Sequence, residues 1–243
     1  MIGWAGKRYW LVGASEGLGA ALAHKMSAAG VHLILSARSE DKLNELAASL
    51  PGKSEVVPVD VSNAEAVKAA ADVVGDIDGI VQIAGVYWPF GAKNWDADQA
   101  VAMADINFTG AMRLMGAVVP KFVERDAGHI VLTGSLSGFR GLPGAAAYTS
   151  SKAGVMTLAE SLYADLRKTN VRVQLVNPGF VKTRLTDKND FSMPFIMKPE
   201  DAAREVFEHM NTDAFKRSFP TLFSWVFRGS QFLPDWLYYR LFA

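Results

Sequence analysis

Six short runs of β-branched and apolar residues, at 9–12, 31–35, 55–59, 79–83, 129–133 and 171–176, alternate with longer stretches of helical period at 20–29, 40–49, 64–74, 97–123 and 146–168. A strand, a helix and a second strand of the same sheet form a crossover that is right-handed in nearly all cases. Repeating the unit lays helices on both faces. The chain is therefore predicted to be an α/β fold: a doubly wound parallel sheet in three layers, α/β/α, with a ligand crevice beyond the carboxyl ends of the strands.

After Asn177-Pro178-Gly179 the pattern changes. A loop through Pro194 leads to a helix at 199–210, where Pro199 suits the first turn, and 216–219 reads as a seventh strand. No repeat, low-complexity tract or Pro/Ser-rich linker divides the 243 residues, half of them apolar, so 1–243 is read as one domain. Within it, 183–210 is read as a substrate loop and helix and 215–243 as an aromatic-rich C-terminal segment.

Lys plus Arg equals Asp plus Glu at 25 each, so no net field recruits nucleic acid or a polyanion. Cysteine is absent, which removes disulfides, thiolate metal sites and a thiol nucleophile. The first residues carry Lys7 and Arg8 rather than a signal-peptide pattern, and no apolar run is long enough to span a bilayer, so a cytoplasmic location is expected. His24, His32, His129 and His209 lack ligand spacing and are read as structural or surface residues, with no metal site expected.

Gly13-Ala14-Ser15-Glu16-Gly17-Leu18-Gly19 follows the first strand directly and opens a helix. The glycines allow a tight turn and let backbone and helix end approach a pyrophosphate, as in Rossmann-type dinucleotide folds, although the spacing is GxxxGxG rather than the common GxGxxG. At the end of the second strand, Ser36-Ala37-Arg38-Ser39 has no carboxylate for a ribose 2′-hydroxyl. Arg38 there is read as a 2′-phosphate partner, with a solvated turn residue as the alternative; NADP(H) is preferred and NAD(H) stays open. Asp60 and Val61 after the third strand would either border the adenine, or Asp60 would N-cap the next helix.

Tyr148 and Lys152 stand four residues apart near the start of a long helix, hence on one face. A phenol is a poor base near neutrality, and an adjacent cation, joined by the positive nicotinamide ring, would lower its pKa. Ser135, just past the fifth strand, is placed to hydrogen-bond a substrate oxygen. Asn107, an amide inside the 97–123 helical stretch, marks a local distortion, a polar relay or a satisfied buried amide.

These residues, in this order along nearly the whole chain, resemble the short-chain dehydrogenases/reductases. The resemblance implies that Ser135 orients and polarises the substrate, Tyr148 is the acid/base, Lys152 binds the nicotinamide ribose while lowering the tyrosine pKa, and Asn107 holds a relay water. It further implies Ala84 and Gly85 beside the cofactor ribose, Pro178, Gly179, Val181 and Thr183 around the nicotinamide, and a homodimer or homotetramer built on the helices carrying Asn107 and Tyr148. Three positions depart from the family: Val12 replaces a threonine, Gln82-Ile83-Ala84-Gly85 replaces Asn-Asn-Ala-Gly, and Glu16 stands where some NADP-preferring members have a base.

Tyr87, Trp88, Phe90, Leu136, Phe139, Leu142 and the loop 185–197 are expected to wall a pocket for a hydrophobic ketone, aldehyde or secondary alcohol. Ten aromatics in residues 215–243 must bury their surface on the domain or a twin subunit, over the substrate, or at a membrane surface, the last supported by Arg228 and Arg240. The leading reading is an NADP(H)-dependent oxidoreductase; a catalytically idle NADP-binding sensor or scaffold, and an isomerase or dehydratase on the same scaffold, are the alternatives.

Overall fold

The computed structural model describes residues 3–188 and 192–242. Strands β1 (Arg8–Val12), β2 (His32–Ser36), β3 (Ser54–Val56), β4 (Gly79–Gln82), β5 (Gly128–Thr133), β6 (Val171–Pro178) and β7 (Lys216–Phe219) form one sheet in the order β3-β2-β1-β4-β5-β6-β7. Every neighbouring pair is parallel. The order reverses between β1 and β4, which parts the connections and leaves a crevice at the carboxyl ends there.

Side chains alternate between the two faces of each strand, and both faces are apolar because helices cover both. Trp10, Ile34, Ile80 and Leu132 pack against Val67 of α3 (Ala64–Val74), Leu114 of α5 (Gly110–Glu124) and Val155 of α6 (Ala146–Leu166). On the opposite face Leu11, Leu35, Val81 and Val131 meet Leu22 of α1 (Gly17–Ala28), Leu43 of α2 (Glu40–Ser49) and Val206 of α7 (Pro199–Met210). This is the three-layer arrangement that the alternating sequence pattern predicts.

Several boundaries differ from expectation for identifiable reasons. The third strand stops at Val56 because Pro58 lacks an N–H, although Val57 and Val59 still donate to Leu35 and Ala37, each at 3.0 Å. The helical stretch expected over 97–123 is not continuous: α4 (Ala97–Ala104) passes through a π-helical turn at Asp105–Thr109 into α5. Asp60 does not cap α3. Asn63 does, accepting from Ala66 N–H at 3.0 Å, while Asp60 accepts from the backbone N–H and hydroxyl of Ser62 at 3.0 and 2.7 Å.

The aromatic C-terminal segment forms two helices, α8 (Thr221–Ser230) and α9 (Asp235–Phe242). Arg140, in the loop between β5 and α6, holds their junction. Its guanidinium donates to the Ser230 and Leu233 carbonyls at 2.6 and 2.8 Å, pairs with Asp235, and lies 4.0 Å from the centroid of the Tyr238 ring. The Tyr238 hydroxyl donates to the Gly141 carbonyl at 2.7 Å. No helix among the described residues is long and apolar enough to cross a membrane.

Candidate active site

The turn after β1 is shaped by what cannot be there. Gly13 has φ +95°, and a Cβ on it would lie 2.4 Å from the Ala84 nitrogen; Gly17 has φ +55°. Non-glycine residues rarely adopt either conformation. The turn is tied to the neighbouring strand by Gly13 and Ala14 N–H groups donating to the Ser36 carbonyl at 2.7 and 3.1 Å. Glu16 makes no side-chain cap on α1, so the first-turn N–H groups are not taken by it.

This turn borders a cavity of about 800 Å³ opening at the β1/β4 reversal. Gly13, Ser15, Glu16, Gly17, Leu18 and Gly19 line one wall, with Arg38, Asp60 and Val61 at one side. Ala84, Gly85, Ser135, Tyr148 and Lys152 line it further along, together with Pro178, Gly179, Val181 and Thr183. A second cavity, also about 800 Å³, is walled by Phe90, Leu136, Leu142, Phe223 and Phe227, with Leu241 and Phe242 of α9. The two cavities share Tyr87, Ser135, Tyr148, Gly179, Leu185, Thr186 and Lys188.

At the junction, the Ser135 hydroxyl lies 2.9 Å from that of Ser137, and the Tyr148 ring packs edge-on against Tyr87 with centroids 4.9 Å apart. Lys152 is only 4% exposed; its ammonium donates to the Thr133 carbonyl at 3.0 Å and stands 6.0 Å from the Tyr148 ring centroid. Burial lowers its pKa to about 8. The protein's own groups do not make the phenol more acidic. Burial pushes Tyr148 up to about 12, against a hydrogen bond from Ser135 that favours the phenolate and with the neighbouring Tyr87 adding to the rise.

Asn107 is 0% exposed and, alone among the residues expected to act in catalysis or cofactor binding, does not line either cavity. Its amide donates to the Val86 carbonyl and the Ser151 hydroxyl, both at 3.0 Å, and accepts from Val86 N–H at 2.7 Å. It is thus a satisfied buried amide and also sits in the distorted π turn, the partners explaining why the helix tolerates both. At the atypical Gln82, the amide donates to the Ala84 carbonyl at 2.8 Å, which holds the strand end.

At the other end of the first cavity, burial pulls the Asp60 pKa upward, but hydrogen bonds from Ser62 and then the Arg38 and Arg113 charges leave it below the ordinary carboxylate range. Glu16 pairs with Lys42 at 3.0 Å and Arg184 at 2.8 Å. Arg38 makes no ion pair among the described residues.

Residues 7–192 match the family profile described as "short chain dehydrogenase". The chain belongs to the short-chain dehydrogenases. As a member it is an NAD(P)-dependent oxidoreductase of the short-chain dehydrogenase/reductase type. An uncharacterized oxidoreductase of Myxococcus xanthus is 39% identical over 235 residues, covering 94% of this chain and 93% of its own. Among solved structures, a short-chain dehydrogenase/reductase from Burkholderia phymatum in complex with NAD has a TM-score of 0.86 at 25% identity, covering 94% of each chain. A short-chain dehydrogenase from Sphingobium yanoikuyae in complex with NADPH has a TM-score of 0.82 at 25% identity, covering 88% of each.

Of the expected pocket wall in this short-chain dehydrogenase, Tyr87, Phe90, Leu136, Leu142 and Leu185 line the second cavity. Trp88 lines only the first, and Phe139 packs into the core beside α6 instead. Met197 bridges Val181, and residues 189–191 of the expected loop lie outside the described residues. The sequence reading missed Lys42 on the first cavity, while Arg184 and Lys188 fall within the expected substrate segment 183–210; it did not resolve which tail aromatics face the second. The i,i+4 pair Phe223 and Phe227 was the available signal, since it puts two rings on one helix face.

Proposed function

We propose that the protein reduces apolar ketones or aldehydes, or oxidises the corresponding secondary alcohols, with NADP(H) as the preferred dinucleotide. The observation that carries this reading is the meeting of the two cavities at Ser135 and Tyr148, one bordered by a glycine turn and a helix N-terminus, the other by aromatic and aliphatic side chains. The first fits a dinucleotide: small residues at the turn, open helix N–H groups for a pyrophosphate, and Arg38 beside Asp60 for the phosphorylated ribose. Similar structures are complexes with NAD or with NADPH, so the preference rests on Arg38 and on the absence of an acid at the second strand's end.

When bound, the nicotinamide supplies or accepts the hydride. Ser135 holds the substrate oxygen at the cavity junction by its hydroxyl. Tyr148, kept protonated by burial, carries the proton that a reduced carbonyl oxygen needs and would take it back in the reverse reaction. Lys152, buried without a carboxylate partner among the described residues, is placed to donate to a ribose hydroxyl and to stabilise the phenolate left after proton transfer. Pro178, Gly179, Val181 and Thr183 close the side of the cavity next to Tyr148 and would fix which face of the nicotinamide meets the substrate. Asn107 acts through Val86 and Ser151 rather than by contact with the reactants. Val101, Met112 and Tyr163, exposed on α4, α5 and α6, offer a face for self-association into a dimer or tetramer.

The test is NADPH and NADH oxidation across a panel of apolar carbonyls, with Tyr148→Phe as the control. Turnover with NADPH, reduced roughly 10²- to 10⁴-fold by the substitution, is expected. Dinucleotide binding without turnover on any carbonyl, indifferent to the substitution, would overturn the reading in favour of an idle sensor.

A further inference from the structure

Helix α8 carries two sets of apolar side chains. Phe223 and Phe227 face the second cavity, while Leu222, Trp225 and Val226 are exposed to solvent. An apolar stripe on a helix is ordinarily covered, so the exposed set lacks its partner. The same holds for α9, which buries Tyr238 and exposes Trp236 and Tyr239. The junction of the two helices carries Phe232 at 88% exposure. Leu241 lines the second cavity and is nonetheless 64% exposed, so the cavity opens onto this apolar surface.

We propose that the outer side of α8 and α9 docks on an anionic lipid bilayer, with the mouth of the second cavity facing the membrane. Charge supports that occupant. The acid at the helix junction, Asp235, is taken by Arg140, while Arg228 and Arg240 are exposed and make no ion pair among the described residues. Arg228 lies 4.9 Å from the Trp225 ring centroid, joining a headgroup-seeking cation to an interfacial aromatic. With 10 and 8 residues, the helices span roughly 15 and 12 Å at 1.5 Å per residue, enough to lie in the interface and too short to cross it. The substrates then are carbonyl compounds that partition into lipid and enter the cavity past Leu241. That last step rests on the proposed oxidoreductase reading; the docking does not.

The experiment is flotation of the full chain with vesicles of phosphatidylcholine alone and of an equimolar mixture with phosphatidylglycerol. It is repeated for Trp225→Glu/Trp236→Glu and for Arg228→Gln/Arg240→Gln, none of these residues lining either cavity. The wild type is expected to float with the anionic vesicles and less with the neutral ones. Each arginine lost is expected to weaken binding about fivefold, and the tryptophan pair to abolish it. Turnover of a short, water-soluble carbonyl stays unchanged in both variants. Wild-type protein left in solution with both vesicle types overturns the docking, whatever the enzyme assay shows. So does a wild-type oligomer that the tryptophan variant splits in sedimentation while vesicle binding persists, an outcome that makes this side a subunit contact.

Discussion

Asn107 grips Val86 by both ends of its peptide, giving a hydrogen bond to its carbonyl at 3.0 Å and taking one from its N–H at 2.7 Å. Val86 follows Ala84 and Gly85 on the wall of the first cavity, so the amide fixes that wall from behind. Asn107→Ala leaves both Val86 groups without these partners, a loss of about 1–3 kcal/mol. For a chain of this size that lowers Tm by roughly 2–4 °C per kcal/mol, and weaker dinucleotide binding should accompany it. An alanine variant with wild-type melting and wild-type cofactor Kd would refute the positioning role.

Arg38 and Glu16 should act in opposite senses on NADPH. Glu16 occupies Lys42 and Arg184, two cations on the wall of the first cavity, while Arg38 is not so engaged. If Arg38 holds the phosphorylated ribose as proposed, Arg38→Ala removes a charge-assisted hydrogen bond worth about 1.5–3 kcal/mol, so KM for NADPH rises by roughly ten- to a hundredfold while KM for NADH changes little. Glu16→Gln releases Lys42 and Arg184 and lowers KM for NADPH. Equal responses of both cofactors to Arg38→Ala would locate the discrimination elsewhere.

Arg140 should govern reactant choice without touching a reactant. It bonds two carbonyls at the α8–α9 junction and caps the Tyr238 ring, and these helices carry four rings or aliphatic groups of the second cavity. In Arg140→Ala the helices are expected to loosen, raising KM for bulky apolar carbonyls with kcat on a small carbonyl and the NADPH Kd retained. Steady-state kinetics on a small and a bulky carbonyl decide this; a parallel fall of kcat on both would mean general damage.

Acid should destabilise the fold before its carboxylates titrate. His129 in β5 is buried, accepting at Nδ1 from the Tyr9 hydroxyl at 2.8 Å and Arg172 at 3.1 Å, while Nε2 faces the Gln174 Oε1 at 2.9 Å. Burial, then the Arg172 charge, lower its pKa to about 3. His209 is lowered to about 4, again chiefly by burial. Above the unfolded value near 6.5 both states hold neutral imidazole; below it the unfolded chain binds protons that the folded chain refuses. Stability therefore falls as pH drops through the window from about 6.5 to about 4, by about 1.4 kcal/mol per pH unit for each histidine. Urea melts at pH 7, 6 and 5 measure it, and a flat response would contradict the burial of these rings as neutral groups.

The parallel sheet was legible because the central strands β1, β2, β4 and β5 carry apolar residues on both faces, and the glycine turn because its position directly after β1 is a backbone demand. Ser135, Tyr148 and Lys152 could be placed from strand-end and helix-face positions, and they do line one cavity. The direction of the Tyr148 pKa was not legible. Spacing predicts that Lys152 is near, but not that its ammonium is spent on the Thr133 carbonyl or how strongly the site is desolvated. The π turn at Asn107 was half legible, since an amide in an apolar helix signals trouble without naming its partner. Arg140 gave no local signal at all, because its partners lie about 90 residues further on.

The last parallel strand divides the encoding of the second cavity. Gly179 N–H donates to the Phe219 carbonyl at 2.7 Å, so the chain returns to the border of both cavities just before 221–242 begins. The segment matched to the family stops at residue 192. Phe223, Phe227, Leu241 and Phe242 of the second cavity are thus encoded beyond that segment, whereas Phe90, Leu136 and Leu142 of the same cavity lie within it. A change confined to 221–242 therefore reshapes one side of the second cavity and leaves the lining of the first untouched.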